Sequence, residues 1–327
     1  MLRLRSFSYH RPAAVRDAVS LLCEYGESAM PVSGGTDLIP NMKHRLFTPK
    51  HLVALKGVPE LHGIHEEGGD LVIGAAESLT AVSSHPSVRL MFTALAEAVG
   101  SVAAPQLRNS GTLGGNVCLD TRCTYYNQSQ FWRQALGFCL KKDGDVCHVT
   151  QVGKKCVAAH SADSPPVLIT IGARVELVGP EGARSVPIGD FFLADGIMNS
   201  RLEPGEVLTK IRIPLPAPDL RTSYVKLRQR KAIDFPILTV AVAAEVDPGN
   251  RVHKLRGVVN GLGARPRRLT GWDEVAEGEI LTEELIEGLA EQAHKQCRPL
   301  ENMIVDVDWR RAMVPVYVRR ALAGLRL

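Results

Sequence analysis

The spacing of apolar residues in the N-terminal part of the chain alternates between helix-like and strand-like. Apolar positions recur at helical spacing over residues 12–25, and Gly26 ends the run. The apolar face of this predicted helix consists of Ala14, Ala18, Leu21, Leu22 and Tyr25. Apolar runs at 51–58 and 70–78 predict strands. The first fifty-odd residues therefore predict a small α/β unit.

The pattern continues through the middle of the chain, with one interruption. Residues 79–104 contain a predicted helix, and the glycine-rich segment 105–120 is strand-like at its end. Residues 164–173 then predict a helix, and the apolar runs RVELVG and EVLTKIRIPLP predict strands. The forty residues between Asp120 and His160 fit neither pattern. We interpret them as an insertion.

The last third of the chain predicts strands followed by helices. Three prolines at 214, 216 and 218 mark a boundary, since proline interrupts the hydrogen bonding of a strand. Strand-like runs follow up to about residue 262, and the stretches TEELIEGLAEQAHKQC and WRRAMVPVYVRRALAGL predict amphipathic helices. Strands followed by helices are typical of an α+β domain.

Composition narrows the function classes. The chain has 327 residues, 45% of them hydrophobic, and a net charge of +4 without a basic run, which gives no indication of nucleic-acid binding. The N-terminus has no apolar core of signal-peptide length, and no segment is apolar enough to span a membrane. We therefore expect a cytoplasmic protein, in which clustered cysteines hold metal more often than they form disulfides.

Two segments with adjacent glycines are candidate anion sites. SGGTDL and GTLGGN each follow an apolar stretch, and glycine lets backbone N–H groups approach a ligand such as a pyrophosphate. Each pair alone is also compatible with an ordinary tight turn. The G-x-G-x-x-G fingerprint and the Walker A sequence are absent, so a nucleotide cofactor would have to bind by another architecture.

Together with their contexts, these segments resemble the FAD-binding subunits of the molybdenum hydroxylase (xanthine oxidase) family. The resemblance rests on PVSGGTDLI, QLRNSGTLGGN, SADSPPVLITIGA, GEVLTKIRIPLP and YVKLRQRKAIDFP, which occur in the family's order. It implies an α+β fold with a two-part FAD-binding (PCMH-type) domain over 1–217, divided into 1–57 and 58–217. A smaller α+β C-terminal domain over 218–327 would follow, and the insertion would occupy about 121–160.

The resemblance also implies a set of flavin contacts. Gly34, Gly35 and Thr36 would form the centre of a loop at the pyrophosphate and adenosine end. Asp163 would meet the ribityl chain, and Lys226 would lie near the isoalloxazine. From the residues alone, Asp163 is equally compatible with a helix N-cap, and Lys226 with a solvated strand lysine. The full implied set is Pro31, Val32, Ser33, Gly34, Gly35, Thr36, Asp37, Leu38, Ile39, Val102, Thr112, Leu113, Gly114, Gly115, Asn116, Asp163, Leu208 and Lys226.

The insertion concentrates cysteines at an unusual spacing. Cys123, Cys139, Cys147 and Cys156 are separated by 15, 7 and 8 residues, unlike zinc-finger pairs or the common ferredoxin run. From spacing alone, a metal site, free thiols and disulfides all stay open. One branch of the family, the β subunits of 4-hydroxybenzoyl-CoA reductases, resembles this chain here. In that branch four cysteines of such an insertion bind an extra [4Fe–4S] cluster, which implies these four as ligands.

Other residues near the cysteines received separate interpretations. We expect Tyr125, Tyr126, Phe131 and Trp132 to form either an apolar cover or a local core for the insertion. We interpret Cys118, Cys23 and Cys297 as packed thiols, and His148 and His160 as non-ligands.

The resemblance implies an electron-transfer subunit with FAD and a [4Fe–4S] cluster. Reduced ferredoxin would supply electrons, and the substrate would be reductively dehydroxylated on a molybdenum-cofactor subunit, with a [2Fe–2S] subunit completing a dimer of heterotrimers. No catalytic residue of its own is expected. The alternatives are a conventional hydroxylase flavin subunit that passes electrons outward, and a zinc-stabilised interaction module.

Overall fold

A computed structural model describes residues 2–151 and 153–326, and it begins with a small parallel α/β unit. Its three-stranded sheet has the order β1-β3-β2, and the chain returns between strands through helices. The elements are β1 (Ser8–His10), α1 (Val15–Tyr25), β2 (Ala29–Val32), α2 (Leu38–Lys43) and β3 (His51–Ala54). The predicted helix at 12–25 and the strand that begins at 51 are confirmed.

The second unit is built on a five-stranded antiparallel sheet. Its strand order is β4-β5-β8-β6-β7, and a long segment, whose described residues include seven short helices, separates β5 from β6 in the sequence. The elements are β4 (Ile64–Glu67), β5 (Asp70–Gly74), α3 (Leu79–Ser84), α4 (Pro86–Met91), α5 (Thr93–Gly100), α6 (Pro105–Ser110), α7 (Leu113–Val117), α8 (Gln130–Leu136), α9 (Ser164–Thr170), β6 (Arg174–Gly179), β7 (Gly182–Pro187), α10 (Ile188–Phe191) and β8 (Val207–Pro214).

The strand predicted at the end of the glycine-rich segment is wrong. That segment forms the short helix α7, whose first turn is capped by Thr112: its hydroxyl oxygen accepts a hydrogen bond from Gly115 N at 3.2 Å. Leu113 and Val117, four residues apart, both pack into the core. Only these two side chains carry helical spacing, which is why the pattern did not reveal the helix.

The C-terminal unit has strands followed by helices, as predicted, but a short helix that the sequence did not predict, Trp272–Ala276, precedes the two predicted ones. The strand order is β12-β11-β10-β9. The elements are β9 (Leu220–Leu227), β10 (Leu238–Val246), β11 (Val252–Asn260), β12 (Arg267–Leu269), α11 (Trp272–Ala276), α12 (Glu283–Gln296) and α13 (Val307–Ala323). Across the described residues 2–151 and 153–326, no helix has the length and apolar character needed to cross a membrane.

Strand β10 joins the C-terminal unit to the rest of the protein. Successive side chains of a strand point to opposite faces. Ala241 and Ala243 pack with the core of the five-stranded unit, whereas Val240 and Val242 pack with the C-terminal helices. All four side chains are fully buried. One sheet therefore serves two cores, and the position of the C-terminal unit is fixed by packing.

The C-terminal unit also holds the cysteine-rich insertion at its base. Arg122 and Ala159 exchange two backbone hydrogen bonds of 2.8 and 2.7 Å, which brings the two ends of the insertion together. The Asn302 side chain donates to Val157 O at 2.8 Å, and Asn302 O accepts from Thr124 N at 2.9 Å. Arg310 fixes this loop from α13, since it donates to Asn302 Oδ1 at 3.2 Å.

We expect Arg310→Met to lower the free energy of unfolding by about 2–4 kcal/mol, because buried acceptors lose a charged donor. Besides Asn302, these acceptors are Leu300 O at 2.8 Å and Gly261 O at 2.7 Å. The control is Arg319→Met on the same helix, which removes an exposed pair with Glu287 and should cost less than about 1 kcal/mol. Chemical denaturation of the purified chain measures both; equal effects would contradict this role of Arg310.

Candidate functional site: a cleft and a neighbouring cysteine cavity

A cleft of about 720 Å³ runs between the α/β unit, the five-stranded unit and the C-terminal unit. This volume lies in the range of small-molecule and cofactor sites. Most residues of the predicted flavin set line it: Pro31, Val32, Ser33, Gly34, Gly35, Thr36, Asp37, Leu38, Val102, Thr112, Gly114, Gly115, Asn116, Asp163 and Leu208. Three of the set do not: Ile39 packs beside the core of the α/β unit, Leu113 is buried in the main core, and Lys226 bonds to Asp163.

The two glycine loops meet at one wall of the cleft. Ser110 Oγ donates a hydrogen bond to Gly34 O at 2.9 Å. A Cβ atom at Gly34 would collide with Ser110 O, and one at Gly114 would lie 2.7 Å from the Ala75 side chain. Gly35 adopts a positive φ of 68°, which most side chains disfavour. Glycine at these positions therefore keeps the loops in contact and leaves backbone open to the cleft.

Asp163 and Lys226 form a buried ion pair beside the cleft. Lys226 Nζ lies 2.9 Å from Asp163 Oδ2, and the Tyr224 hydroxyl donates to Asp163 Oδ1 at 2.6 Å. Both charged side chains are 4% exposed. Burial raises the pKa of Asp163, against the lowering effects of the Lys226 charge and the Tyr224 hydrogen bond. Asp163 does precede α9, but its side chain makes no cap bond. The interpretation of Lys226 as a solvated lysine is wrong.

The four cysteines of the insertion line a second, small cavity of about 20 Å³. Cys123, Cys139, Cys147 and Cys156 are all free thiols, so the disulfide alternative is wrong. Among the described residues, no group of three or more His, Cys, Asp or Glu side chains is arranged to hold a metal ion. The sequence segments that contribute these thiols nevertheless converge on one point of the insertion.

Backbone N–H groups surround these sulfur atoms. Ala158 N donates to Cys156 Sγ at 3.5 Å. Burial raises the pKa of the Cys147 thiol, but hydrogen bonds from Thr150, Val149 and Val157 outweigh it, so the net pKa is lowered. Burial raises the pKa of Cys156, and the backbone hydrogen bond and then the nearby Lys141 charge oppose that rise. Burial also raises the pKa of Cys123 to about 11, so the surroundings favour the thiolate, the form that binds metal, at Cys147 but not at Cys123 or Cys156.

The expected aromatic cover is only half correct. Tyr126 is buried and Tyr125 lines the cysteine cavity, but Phe131 and Trp132 are 82% and 40% exposed, so neither an apolar cover nor a local core includes them. Helix α8 begins at Ser129, whose hydroxyl oxygen accepts from Trp132 N, and it directs these two rings outward. Of the two histidines interpreted as non-ligands, His148 lines the cysteine cavity and His160 does not. Burial lowers the pKa of His160 to about 4.

Two of the three remaining cysteines differ from expectation. Cys118 is not a core thiol: it directly follows α7, lines the cleft and is accessible from it. It lies deep enough that desolvation raises its pKa to about 12. Cys23 is exposed on α1, whereas Cys297 is buried as expected. The error at Cys118 has the same cause as the wrong strand, because strand alternation does not apply to a helix end.

Both parts of the chain match known families. Residues 5–216 match the family described as the FAD binding domain in molybdopterin dehydrogenase. The chain belongs to the flavin subunits of the molybdenum hydroxylase family. Residues 223–325 match the CO dehydrogenase flavoprotein C-terminal domain of these subunits. The expected fold class, a two-part FAD-binding domain followed by a smaller α+β domain, is confirmed, as is FAD as the cofactor.

Individual flavin subunits align over most of the chain. The carbon monoxide dehydrogenase medium chain of Hydrogenophaga pseudoflava is 33% identical over 97% of this chain and 96% of its own. The FAD-binding subunit of the Escherichia coli aldehyde oxidoreductase is 29% identical, with 83% of this chain and 86% of its own covered. A solved carbon monoxide dehydrogenase chain from H. pseudoflava superposes with a TM-score of 0.82 at 30% identity, covering 99% and 98% of the two chains.

These similarities favour one of the two enzyme interpretations. They show the family but not the specificity of its 4-hydroxybenzoyl-CoA reductase branch, and they support a conventional flavin subunit of the CO dehydrogenase type. They give no support for a [4Fe–4S] cluster or for ferredoxin.

The flavin cleft offers buried polar groups that need a partner. Ser33 and Ser161 both line it, and the hydroxyl oxygen of each is buried without a hydrogen-bond partner among residues 2–151 and 153–326. Buried hydroxyls are rarely left unpaired, so these two suit the polar groups of a bound cofactor. Together with the open glycine backbone, they fit a dinucleotide such as FAD.

Sequence reasoning missed a contact that closes one end of the flavin cleft. Arg122 forms an ion pair with Asp37 of the first glycine loop, and its guanidinium lies 4.4 Å from the ring centroid of Phe235. Burial lowers the pKa of Arg122 to about 10, against a smaller raising effect of Tyr126. Phe235 reaches the cleft from the loop between β9 and β10. Nothing in the local sequence links these three positions, because they come from three parts of the chain.

We expect Gly34→Ala to reduce the FAD content of the purified chain severely, because the added methyl group would push the two glycine loops apart. Gly57→Ala is the matched control, since a Cβ at Gly57 meets no atom within 4 Å. Visible flavin absorbance per protein measures the outcome. Full FAD content in Gly34→Ala would show that contact between the loops is not needed.

Proposed function

We propose that this flavin subunit also holds a [4Fe–4S] cluster, on Cys123, Cys139, Cys147 and Cys156, and that it relays electrons within a molybdenum-containing oxidoreductase. The observation that carries the proposal is the convergence of four free thiols on one cavity beside the flavin cleft. Three of the four are buried, and Cys123 is half-buried. Iron–sulfur clusters are held by four such thiolates.

Hydrogen bonds to the sulfur ligands of an iron–sulfur cluster tune its potential. The N–H groups directed at Cys147 and Cys156 have this role in the proposal.

The cofactors would supply the electron chemistry: FAD exchanges electrons singly or in pairs, and an iron–sulfur cluster exchanges one at a time. The chain's own residues bind and orient. Two buried carboxylates line the flavin cleft, and both are already paired: Asp163 with Lys226 and Tyr224, and Glu206 with Arg184 at 2.6 Å. They are therefore poorly placed to act as an acid or base, and we assign substrate chemistry to a partner subunit.

The partners in this proposal are a molybdenum-cofactor subunit and a [2Fe–2S] subunit, in a dimer of heterotrimers. The support comes from relatives. Two are named as the medium chain of carbon monoxide dehydrogenase, and one solved structure is described in terms of its molybdenum cofactor.

For the direction of electron flow, we propose entry through the insertion from reduced ferredoxin. Residues 121–160 contain six Lys or Arg and two Asp, a net charge of +4, which equals the net charge of the whole chain. Arg133 and Lys141 are buried, whereas Lys154 and Lys155 are exposed. The exposed lysines favour encounter with an electron carrier of negative surface charge.

The reaction in this proposal is reductive dehydroxylation of 4-hydroxybenzoyl-CoA on the partner subunit. The phenolic C–O bond breaks and a C–H bond forms, and two electrons and two protons yield benzoyl-CoA and water. Ferredoxin supplies the electrons one at a time. A one-electron centre beside the FAD, the proposed cluster, would accept them singly.

The second candidate is a conventional hydroxylase flavin subunit that passes electrons outward to NAD or a quinone. The 33% identity to a carbon monoxide dehydrogenase medium chain favours it. In that case the cysteine cavity would be an addition without a direct part in the main electron route. A zinc-stabilised interaction module, the non-enzyme alternative, has less support because the chain belongs to a redox family.

We expect Cys139→Ala to lose protein-bound iron while retaining FAD, because Cys139 lines only the cysteine cavity. Cys297→Ala is the matched control: Cys297 is also buried, but it packs in the C-terminal core and should keep both. Iron, zinc, acid-labile sulfide and FAD are assayed per chain. Zinc without sulfide in the unaltered chain would refute the cluster, and joint loss of iron and FAD in Cys139→Ala would refute a separable site.

We expect the intact complex to convert 4-hydroxybenzoyl-CoA to benzoyl-CoA with reduced ferredoxin, and to lose at least tenfold in rate when Lys154 and Lys155 are both changed to Glu. The physical reason is the reversal of charge at the proposed entry point. Product formation is followed by chromatography. A complex that reduces NAD or a quinone with an aldehyde or purine substrate, and is inert with ferredoxin, would favour the conventional subunit.

A further inference from the structure

The wall between the flavin cleft and the cysteine cavity contains a charged group that neither site explains. Asp120 lines the flavin cleft, whereas Lys141 and Tyr126 line the cysteine cavity. Lys141 Nζ lies 2.6 Å from Asp120 Oδ1, and the Tyr126 hydroxyl donates to Asp120 Oδ2 at 3.0 Å. We call these three residues the wall triad.

The ammonium group of Lys141 is held in one place. Its side chain is only 5% exposed, and it donates to Thr121 O at 3.2 Å and to Gly196 O at 2.7 Å besides Asp120. It also lies 4.5 Å from the centroid of the Tyr126 ring. Burying a lysine side chain costs conformational entropy and hydration of the ammonium group, and the hydrogen bonds and the ion pair with Asp120 offset that cost.

The two sites are neighbours along the chain as well as across the wall triad. Arg122 lines the flavin cleft and Cys123 lines the cysteine cavity, so one peptide bond connects residues of the two sites. Gly196 packs against the same region: its N–H donates to Cys156 O at 2.9 Å, and a Cβ there would lie 2.6 Å from Cys156 Sγ. The fixed charge of Lys141 is therefore within reach of both sites.

We propose that Lys141 is a positioning residue whose buried charge, balanced by Asp120, sets the relative reduction potentials of the two centres. This inference rests on the proposed function, because it requires a cluster in the cysteine cavity. A positive charge favours the reduced, more negative form of a neighbouring centre, and a negative charge disfavours it. Buried charges act strongly because salt screens them little.

The chain supplies its own control in the adjacent lysine. Lys142 is 36% exposed and pairs with Asp143 at 3.3 Å on the surface, where water and salt weaken its field. A substitution at Lys142 removes the same charge from nearly the same point of the sequence. The contrast between positions 141 and 142 therefore isolates the effect of burial and placement.

The test is anaerobic redox titration of the intact complex, with the cluster followed by electron paramagnetic resonance and the flavin by absorbance. We expect Lys141→Met to shift the cluster to a more negative potential. Asp120→Asn should shift it to a more positive one, whereas Lys142→Met should leave it unchanged. Lys141→Arg should restore the value, because it keeps the charge. Opposite shifts at 141 and 120 are not expected from a purely structural role.

Equal potentials in the unaltered complex, Lys141→Met and Asp120→Asn would overturn the inference. Should Lys141→Met lose the cluster, Asp120→Asn decides alone: a positive shift supports the inference, and no shift or a negative shift overturns it. FAD and iron content are measured first in each preparation. An unaltered complex without iron would refute the proposed cluster itself. A complex that contains the cluster, but whose potential does not change with substitution at position 141, would refute only the role of Lys141.

Discussion

The ion pair between Asp163 and Lys226 joins the two domains beside the flavin cleft. Asp163 begins α9 of the five-stranded unit, and Lys226 lies on β9 of the C-terminal sheet. Two charges at 4% exposure cost much hydration energy, which is recovered only when each finds good partners. Tyr224 on the same strand supplies the further hydrogen bond to Asp163, and Ser101 O accepts from Lys226 at 3.2 Å. These contacts hold the two domains together beside the cleft.

The site is formed by both domains, and this explains which of its residues could be predicted from the sequence. The glycine loops and Asp163 lie in contiguous motifs, so most residues of the set predicted from pattern and resemblance line the cleft. Lys226 was found only by resemblance, because strand alternation cannot show that a lysine will meet a carboxylate 63 positions away. Arg122 and Phe235 were missed for the same reason: their contact exists only after three separate segments have come together.

Three wrong predictions concern short segments, and each has a cause in the local sequence or structure. The helix α7 was taken for a strand because its interior contains Gly114 and Gly115, which carry no side-chain pattern. Cys118 was then assigned to the core, although it faces the flavin cleft. Phe131 and Trp132 were expected to cover the thiols, but the capped start of α8 turns both rings to the surface. Apolar residues of a short insertion can stay exposed, because a segment of this length buries few side chains.

The insertion places four thiols, the ligands of the proposed cluster, beside the flavin cleft. Arg122 lines the cleft and Cys123 the cysteine cavity, and the C-terminal unit holds the insertion through Asn302 and Arg310. The most direct measurement is the content of iron and acid-labile sulfide per FAD in the purified chain. This account predicts four irons, four sulfides and one FAD. One FAD without iron or sulfide would contradict it and leave a flavin subunit of the conventional kind.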